Sequence, residues 1–418
     1  MKMWFPRSSV VVTVLGKDGG DEGSRTGCGA GGMPVSGWRA MMMGGLLASA
    51  AIGGACEKPY FPPAESLGGW RALGSAAEVR EIGGMDPERL TGLQQWLVDS
   101  DQRDFAAVVI RHGWVVMEVE RGRSAAVDAG RVASVSKAVC ATVLAIASEW
   151  GRLGKTPRVM TFDDPAFKFI PWAHPLSDPR KAGITVRQLL NHTSGLCPEA
   201  TGAPNDGSWK YVFGQTGDAR TALLAFEPGT ACGYSTHALD HAGLVCETVT
   251  GKPYDTFVIE ALFKPLEIEH WTFSVRNDFP DGSVPPSQHV SHGLGLSARA
   301  LARIGYCLLQ NGRWNFEQIV PRWFVDETAA PTHAVTSKEL RFELPAATFS
   351  HGWELPAFRG DVGRGIPSDA RFKPGSGGQM IAWVPSLDLV FARQTGGSGA
   401  WEYEECLRRV CAAVAVNR

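Results

Sequence analysis

The chain has 418 residues, of which 44% are hydrophobic and 20% are charged. These fractions are typical of a globular protein with a substantial core, and the length allows one large domain or two moderate ones. The formal net charge is −2, with no run of Lys and Arg, which argues against nucleic acid or an anionic membrane surface as a partner. The nine cysteines include no Cys-x-x-Cys pair, which argues against a structural zinc motif.

Residues 1–56 are expected to be an export signal. The uncharged run at residues 41–55 is too short for a membrane span but has the length of a signal sequence, for which Met33 is a candidate start. The segment Ile52-Gly-Gly-Ala-Cys56 is similar to a bacterial lipoprotein cleavage site, and the alternative is a plain secretory signal. We therefore expect a periplasmic or cell-envelope protein, with Cys56 as the candidate site of a lipid membrane tether.

The remainder is expected to form one domain at residues 81–418, after a proline-containing tether at residues 57–80. Between about residues 155 and 290 the strand pattern is replaced by helical pieces and loops. Strand-like segments occur early and late, at residues 105–110, 114–120, 349–355, 379–384 and 389–394. We therefore predict an α+β fold, in which an antiparallel sheet flanked by helices packs beside a second, all-helical lobe.

A helix is predicted at residues 131–150, with Ser134 and Lys137 at its beginning. Their spacing places both side chains on one face of the first turn, where free N–H groups favour negative charge. A lysine amine there can take the hydroxyl proton if burial or a second cation lowers its pKa. Ser134 and Lys137 are thus a candidate nucleophile and base. The alternative is an ordinary helix start, with a capping serine and a solvated lysine.

Two later segments can complete such a site. Tyr234 could relay a proton to the leaving group, so it is the third predicted catalytic residue. The segment Lys373-Pro-Gly-Ser376 opens a strand, and the Ser376 N–H is a candidate oxyanion donor beside the Ser134 N–H. Taken singly, Tyr234 could equally be a core tyrosine and Lys373 a surface lysine. The predicted substrate-binding residues are Thr236, Lys373, as the group that would hold a substrate carboxylate, and Gly375.

The order of these motifs resembles that of a known family. The matching segments are Ser134-Val-Ser-Lys137, Leu189-Leu-Asn-His-Thr-Ser-Gly-Leu196, Pro228-Gly229 ahead of Tyr234, Gly293-Leu-Gly-Leu-Ser-Ala-Arg299 and Lys373-Pro-Gly-Ser376. Together they resemble the class C β-lactamase-like serine hydrolases, which include β-lactamases, DD-peptidases, D-aminopeptidases and esterases. The resemblance implies an acyl-enzyme on Ser134, no cofactor or metal, and a small-molecule or peptidoglycan-like acyl substrate. We expect a monomer.

Two departures from the family pattern bear on the substrate. Thr236 stands where the family usually has Asn, and Pro374 stands where Thr is common. Both departures weaken a β-lactam or peptide-amide assignment and leave ester hydrolysis or other acyl transfer open. We therefore favour an esterase or a peptidase-like hydrolase, with a class C-type β-lactamase as the alternative.

Three other functions were weighed. The segment Gly396-Gly-Ser-Gly-Ala400 resembles a nucleophile elbow, but no histidine follows His351 to complete that triad. His237 and His241 have a zinc-like spacing on a predicted helix, but no glutamate lies between them. A non-catalytic penicillin-binding-like sensor is the third, and the presence of all three predicted catalytic residues argues against it.

Overall fold

The computed structural model describes residues 59–202, 219–274, 289–332, 349–356 and 363–415, together with the backbone of four two-residue strands elsewhere. The predicted export signal at residues 1–56 lies outside the described residues, apart from one of those strands, Val10–Val11. Among the described helices, none combines the length and apolar character needed to cross a bilayer.

The described chain contains strands of two to eight residues and α-helices of four to eighteen residues. The strands are β1 (Val10–Val11), β2 (Phe105–Arg111), β3 (Trp114–Arg121), β4 (Gly130–Arg131), β5 (Ala231–Cys232), β6 (Trp271–Phe273), β7 (Arg276–Asn277), β8 (Ser287–Gln288), β9 (Leu294–Leu296), β10 (Arg313–Trp314), β11 (Glu317–Gln318), β12 (Lys338–Glu339), β13 (Phe349–Ser350), β14 (Trp353–Glu354), β15 (Arg371–Gly375), β16 (Gln379–Val384) and β17 (Leu389–Thr395). The α-helices are α1 (Ala76–Glu81), α2 (Pro87–Asp99), α3 (Val135–Arg152), α4 (Val186–Leu190), α5 (Ala219–Ala222), α6 (Thr236–Thr250), α7 (Tyr254–Val258), α8 (Ala298–Leu309), α9 (Arg322–Glu327) and α10 (Tyr403–Ala412).

The central sheet joins the two ends of the domain. Its strand order is β1-β3-β2-β17-β16-β15-β14-β13, and every neighbouring pair is antiparallel. The hairpin of β2 and β3 pairs with β17, so a strand near residue 110 lies beside one near residue 390. The predicted antiparallel α+β fold is confirmed.

The sheet is covered by helices on both faces. Because side chains in a strand alternate between faces, successive residues of β2 enter different cores. Ala106 and Val108 pack in the core that contains α3 and α8. Ala107 and Val109 pack in the opposite core, with α2 and α10. A strand buried on both faces has a continuous apolar sequence, as β2 has.

The region between β4 and β9 is built mainly from helical segments. Helix α6 packs against α3 and α4, so that α3 contacts both the sheet and this second group of helices. Local capping defines where these helices begin: the Thr185 side chain accepts a hydrogen bond from the Gln188 N–H, and the Ser235 side chain accepts one from the Ala238 N–H. The site described below lies where α3 and α6 begin.

Residues 59–80, which were predicted to be a tether, pack onto the domain. The buried guanidinium of Arg303 donates to the carbonyl of Pro62 at 3.0 Å and pairs with Glu65 at 2.9 Å. Ala72 forms a parallel β-bridge with Val115. A buried cation needs such partners, and the segment supplies them, so the folded unit includes residues 59–80.

Candidate active site

Ser134 immediately precedes helix α3 and forms no capping hydrogen bond with its side chain. The preceding residue, Ala133, has a φ of 47°, a left-handed conformation that costs a non-glycine residue roughly 1–2 kcal/mol. The turn that follows is tight, since the Lys137 N–H donates to the Ser134 carbonyl at 3.1 Å. This strained turn places Ser134 at the start of the helix with its hydroxyl available for another partner.

That partner is Lys137. Its Nζ lies 3.1 Å from the Ser134 Oγ and 3.1 Å from the carbonyl oxygen of Ser291. The Lys137 side chain is completely buried, whereas Ser134 is partly exposed. The alternative of a capping serine and a solvated lysine is therefore excluded. The structure instead joins a reachable hydroxyl to a buried amine, as a nucleophile and its base require.

Tyr234 lies between two lysines. The Nζ atoms of Lys137 and Lys373 are each 5.0 Å from the centroid of its ring, within the range of a cation–π interaction. His192 stacks on the same ring at 4.3 Å, and its Nδ1 accepts a hydrogen bond from the Ser235 N–H at 3.1 Å. The histidine of the Leu-Leu-Asn-His segment thus orients the tyrosine and the backbone beside it.

Lys373 has a carboxylate partner within the chain. Its Nζ lies 2.6 Å from the Glu354 Oε1, and both side chains are at most 3% exposed. Burial favours the neutral amine, but the charge of Glu354 and the hydrogen bonds that Lys373 donates to Glu354 and Tyr234 outweigh it and raise the pKa of Lys373. Sequence reasoning missed Glu354, because nothing distinguishes a buried, paired glutamate from an exposed one along a short strand.

The strand edge at Gly375 approaches the nucleophile closely. A Cβ atom at Gly375 would come within 2.5 Å of the Val132 carbonyl oxygen and 3.1 Å of the Ser134 nitrogen, so only glycine fits without a shift. Gly375 ends β15, and the exposed residue Ser376 follows it. Within the described part of the chain, neither the Ser134 nor the Ser376 N–H donates to a backbone carbonyl. Both predicted oxyanion donors are therefore available.

Thr236 is the first residue of α6 and is 4% exposed. Its hydroxyl donates to the Glu199 Oε1 at 2.5 Å, and the Glu199 N–H donates to the Tyr234 carbonyl at 2.8 Å. The structure thus places Thr236 beside the tyrosine and gives it an acidic neighbour that sequence reasoning missed. Glu199 lies 35 positions before Tyr234 in the chain, with no motif to connect them.

His237 and His241 do not form the zinc pair that their spacing suggested as an alternative. The Nδ1 of His241 bonds to the carbonyl oxygen of His237 at 2.7 Å, within one turn of α6. Burial lowers the pKa of His241 to about 3, so the ring is neutral at physiological pH. The His241 side chain is therefore a buried structural residue of α6.

The site therefore combines a nucleophile and base from α3, a tyrosine from the start of α6 and a lysine–glycine strand edge from β15. These are the parts of a serine acyl-transfer centre that uses lysine in place of histidine. The family model described as "Beta-lactamase" matches residues 93–413. The chain belongs to the β-lactamase family, and the family resemblance predicted from the motifs is confirmed.

The individual relatives match only part of this chain, at low sequence identity. "Protein flp" of Staphylococcus aureus is 26% identical over 150 residues, which cover 35% of this chain and 28% of that protein. "Lovastatin esterase" of Penicillium rubens is 33% identical over 102 residues, 22% of this chain and 25% of that protein. The chain thus spans about a quarter of the length of these two relatives. A solved structure titled "A class C beta-lactamase" superposes with a TM-score of 0.59 at 14% identity, covering 82% of this chain and 98% of that chain.

Proposed function

We propose that this chain is a serine hydrolase that acts through an acyl-enzyme on Ser134. The observation that carries the proposal is the 3.1 Å contact between the Ser134 Oγ and the buried Lys137 Nζ. A partly exposed hydroxyl held by a fully buried amine has no evident structural purpose, because a capping serine would bond to the helix backbone instead. Membership of the β-lactamase family supports the same assignment.

In the first step, the Lys137 amine in its neutral form takes the Ser134 proton while the Oγ attacks the substrate carbonyl. The Ser291 carbonyl, 3.1 Å from the Lys137 Nζ, keeps the amine directed at the hydroxyl. Negative charge develops on the carbonyl oxygen, and the N–H groups of Ser134 and Ser376 are the proposed donors that stabilise it. The close approach of Gly375 to the Ser134 nitrogen supports this role.

Tyr234 is the proposed proton relay to the leaving group. The amines of Lys137 and Lys373 each lie 5.0 Å from the centroid of its ring, so the phenol is close to both the proposed base and the strand edge at Lys373. Loss of the leaving group produces the acyl-enzyme. In the second step, Tyr234, which has given its proton to the leaving group, accepts a proton from an incoming water as the water attacks the acyl carbonyl. The Ser134 Oγ then leaves and takes back the proton held by Lys137, which releases the acid and regenerates Ser134.

We propose an ester, or a peptide-like amide without a terminal carboxylate, as the substrate class. A β-lactam or a D-peptide carries a carboxylate that must meet an available cation. Here the charge of Lys373 is compensated by Glu354 at 2.6 Å, and the Lys373 side chain is 1% exposed. Thr236, in the position of the usual asparagine, donates its hydroxyl hydrogen to Glu199 and so does not offer it to a substrate amide. The name of the Penicillium relative, lovastatin esterase, also supports an ester.

The test is a comparison of wild type with Ser134→Ala on short-chain nitrophenyl esters, D-amino-acid amides and the β-lactam nitrocefin, combined with labelling by a fluorescent phosphonate. We expect ester turnover and labelling in wild type and neither in the variant, whose circular dichroism should be unchanged. Retained turnover in purified Ser134→Ala would refute the acyl-enzyme. Faster hydrolysis of nitrocefin than of any ester would replace the esterase proposal with the β-lactamase alternative.

We also propose that the chain is exported and anchored through Cys56. The support is the uncharged run at residues 41–55 and the Ile-Gly-Gly-Ala-Cys sequence that ends it. Expression in a bacterial host with subcellular fractionation should place the wild type in the membrane fraction and Cys56→Ser in the soluble periplasm. Recovery of both from the cytoplasm would refute export.

A further inference from the structure

Three potential metal ligands from two distant parts of the sequence lie close together, next to the Ser291 backbone that contacts Lys137. Asp240 lies in the middle of α6, and His289 and His292 lie in the segment between β8 and β9. One ligand atom from each of the three lies within 4.8 Å of the others, the one such group among the described residues. Asp240 is 0% exposed and His289 is 8% exposed.

Two atoms of this group lack hydrogen-bond partners. The Asp240 Oδ2 and the His289 Nδ1 are both buried without a partner among the described residues, and they face each other at 3.9 Å. The other carboxylate oxygen, Oδ1, accepts a hydrogen bond from the Ser291 N–H at 3.0 Å. Buried polar atoms are nearly always satisfied, because an unpaired one costs about 1–3 kcal/mol. At 3.9 Å the carboxylate oxygen and the ring nitrogen are too far apart for a direct hydrogen bond but close enough to bind one ion together.

We propose that Asp240, His289 and His292 bind a Zn²⁺ ion. Two imidazoles and one carboxylate are a donor set that zinc favours, and water can supply the fourth ligand. Tetrahedral bonds of about 2 Å place ligand atoms about 3.3 Å apart, so the Asp240–His289 separation would have to close by only about 0.6 Å. The other separations in the group, up to 4.8 Å, would have to close by at most about 1.5 Å, and both histidines lie on a connecting segment and not within a helix.

The site lies next to Ser291, which contacts the proposed base Lys137. Its ligands flank Ser291, whose N–H bonds to Asp240 and whose carbonyl oxygen accepts from the Lys137 Nζ at 3.1 Å. The Ser291 Oγ also lies 2.8 Å from the Nδ1 of His292. A bound ion would link α6 to the segment that holds the Lys137 amine and stabilise both. This inference does not require that the chain be a hydrolase, because it concerns binding alone.

The test uses the purified chain, freed of metal with a chelator and titrated with Zn²⁺ by isothermal calorimetry. We expect one equivalent to bind with a dissociation constant of about 1 μM or tighter. His289→Ala and His292→Ala should each weaken binding at least about tenfold. His270→Ala is the matched control, since His270 is an exposed histidine outside the group, and its binding should equal that of wild type. Absence of stoichiometric binding in wild type, or equal binding by all variants, would overturn the proposal.

A second measurement does not depend on how well the variants tolerate substitution. Co²⁺ in place of Zn²⁺ gives visible absorption whose intensity reports four-coordinate geometry, and we expect this spectrum in wild type and in His270→Ala. Saturating Zn²⁺ should also raise the melting temperature of wild type, because a ligand that binds only the folded state stabilises it. A weak six-coordinate cobalt spectrum together with an unchanged melting temperature would refute the site even if the histidine variants failed to fold.

Discussion

The Lys373 ammonium and the Glu354 carboxylate lie 2.6 Å apart on neighbouring strands, and both side chains are nearly inaccessible to solvent. The Lys373 Nζ is 5.0 Å from the centroid of the Tyr234 ring. The pair thus brings an ammonium group to the active site, while the two side chains together carry no net charge. A buried pair of this kind is costly to break on one side only, because the remaining ion loses both water and partner. We therefore expect Glu354 to affect both stability and catalysis, through effects that can be measured separately.

Glu354→Leu should destabilise the protein by about 3–5 kcal/mol, because Lys373 would become an uncompensated buried cation. The double variant Glu354→Leu with Lys373→Met replaces the pair by apolar groups of similar volume and should recover most of that stability. Ester turnover should stay low in the double variant, since Tyr234 has there lost the neighbouring cation Lys373. Urea unfolding and esterase assays on the same preparations measure the two effects. A double variant with wild-type turnover would show that the pair is only structural.

Lys137→Ala and Tyr234→Phe should each lower kcat/KM by roughly a hundredfold or more, because each removes a proton-transfer group. The two losses should differ in kind. Lys137→Ala should slow phosphonate labelling of Ser134, whereas Tyr234→Phe should have its larger effect on turnover of substrates with poor leaving groups. Stopped-flow measurement of acylation and steady-state turnover distinguishes them. Full labelling rates in Lys137→Ala would exclude Lys137 as the base.

Gly375→Ala should lower kcat/KM by at least about tenfold, because the new methyl group would push the strand edge away from the Ser134 nitrogen and disturb the oxyanion site. The matched control is Gly183→Ala, where a Cβ meets no atom within 4 Å and the backbone is not left-handed. We expect the control to retain wild-type rates. Equal kinetics for the two alanine variants would contradict the proposed close approach.

Asp101 provides a pH-dependent test of stability away from the active site. Burial favours the protonated form, but hydrogen bonds from Arg103 and Arg393 outweigh it and lower the pKa of Asp101 from 3.8 to about 2. Because the folded-state pKa lies below the unfolded one, the stabilisation is present above about pH 4 and is lost as the pH falls towards 2. Asp101→Asn should therefore cost about 2 kcal/mol or more at pH 7.

The difference in unfolding free energy between wild type and Asp101→Asn should shrink steadily as the pH is lowered from about 5 to about 2. Urea titrations across that range measure it. Asp99→Asn, at a nearby exposed position, is the control and should match wild type at every pH. A difference that stays constant with pH would mean that the carboxylate charge of Asp101 contributes nothing.

Much of the framework follows from local sequence patterns. The predicted strands at residues 105–110 and 379–384 coincide closely with β2 and β16, since continuous apolar runs of that length can only be buried strands or short helices, and their flanking turns favour strands. The helix predicted at 131–150 begins at Val135 and extends to Arg152, two residues past its predicted end. Gly151 lies within the last turn because glycine weakens a helix without ending it.

The contacts that complete the site were decided by the tertiary structure alone. The Lys137 amine donates a hydrogen bond to the main-chain carbonyl of Ser291, 154 positions away. Every residue has such a carbonyl, so the sequence cannot show which one makes this contact. The same holds for the acidic residues Glu354 and Glu199, which only folding brings close to Tyr234 or its neighbours. It also holds for Asp240, His289 and His292, which only folding brings close to one another. Sequence alone determined the pairing of the proposed nucleophile and base, because a helix start fixes Ser134 and Lys137 relative to each other. Only the packing of distant segments decided which charges are compensated, because burial and distance are properties of the folded chain.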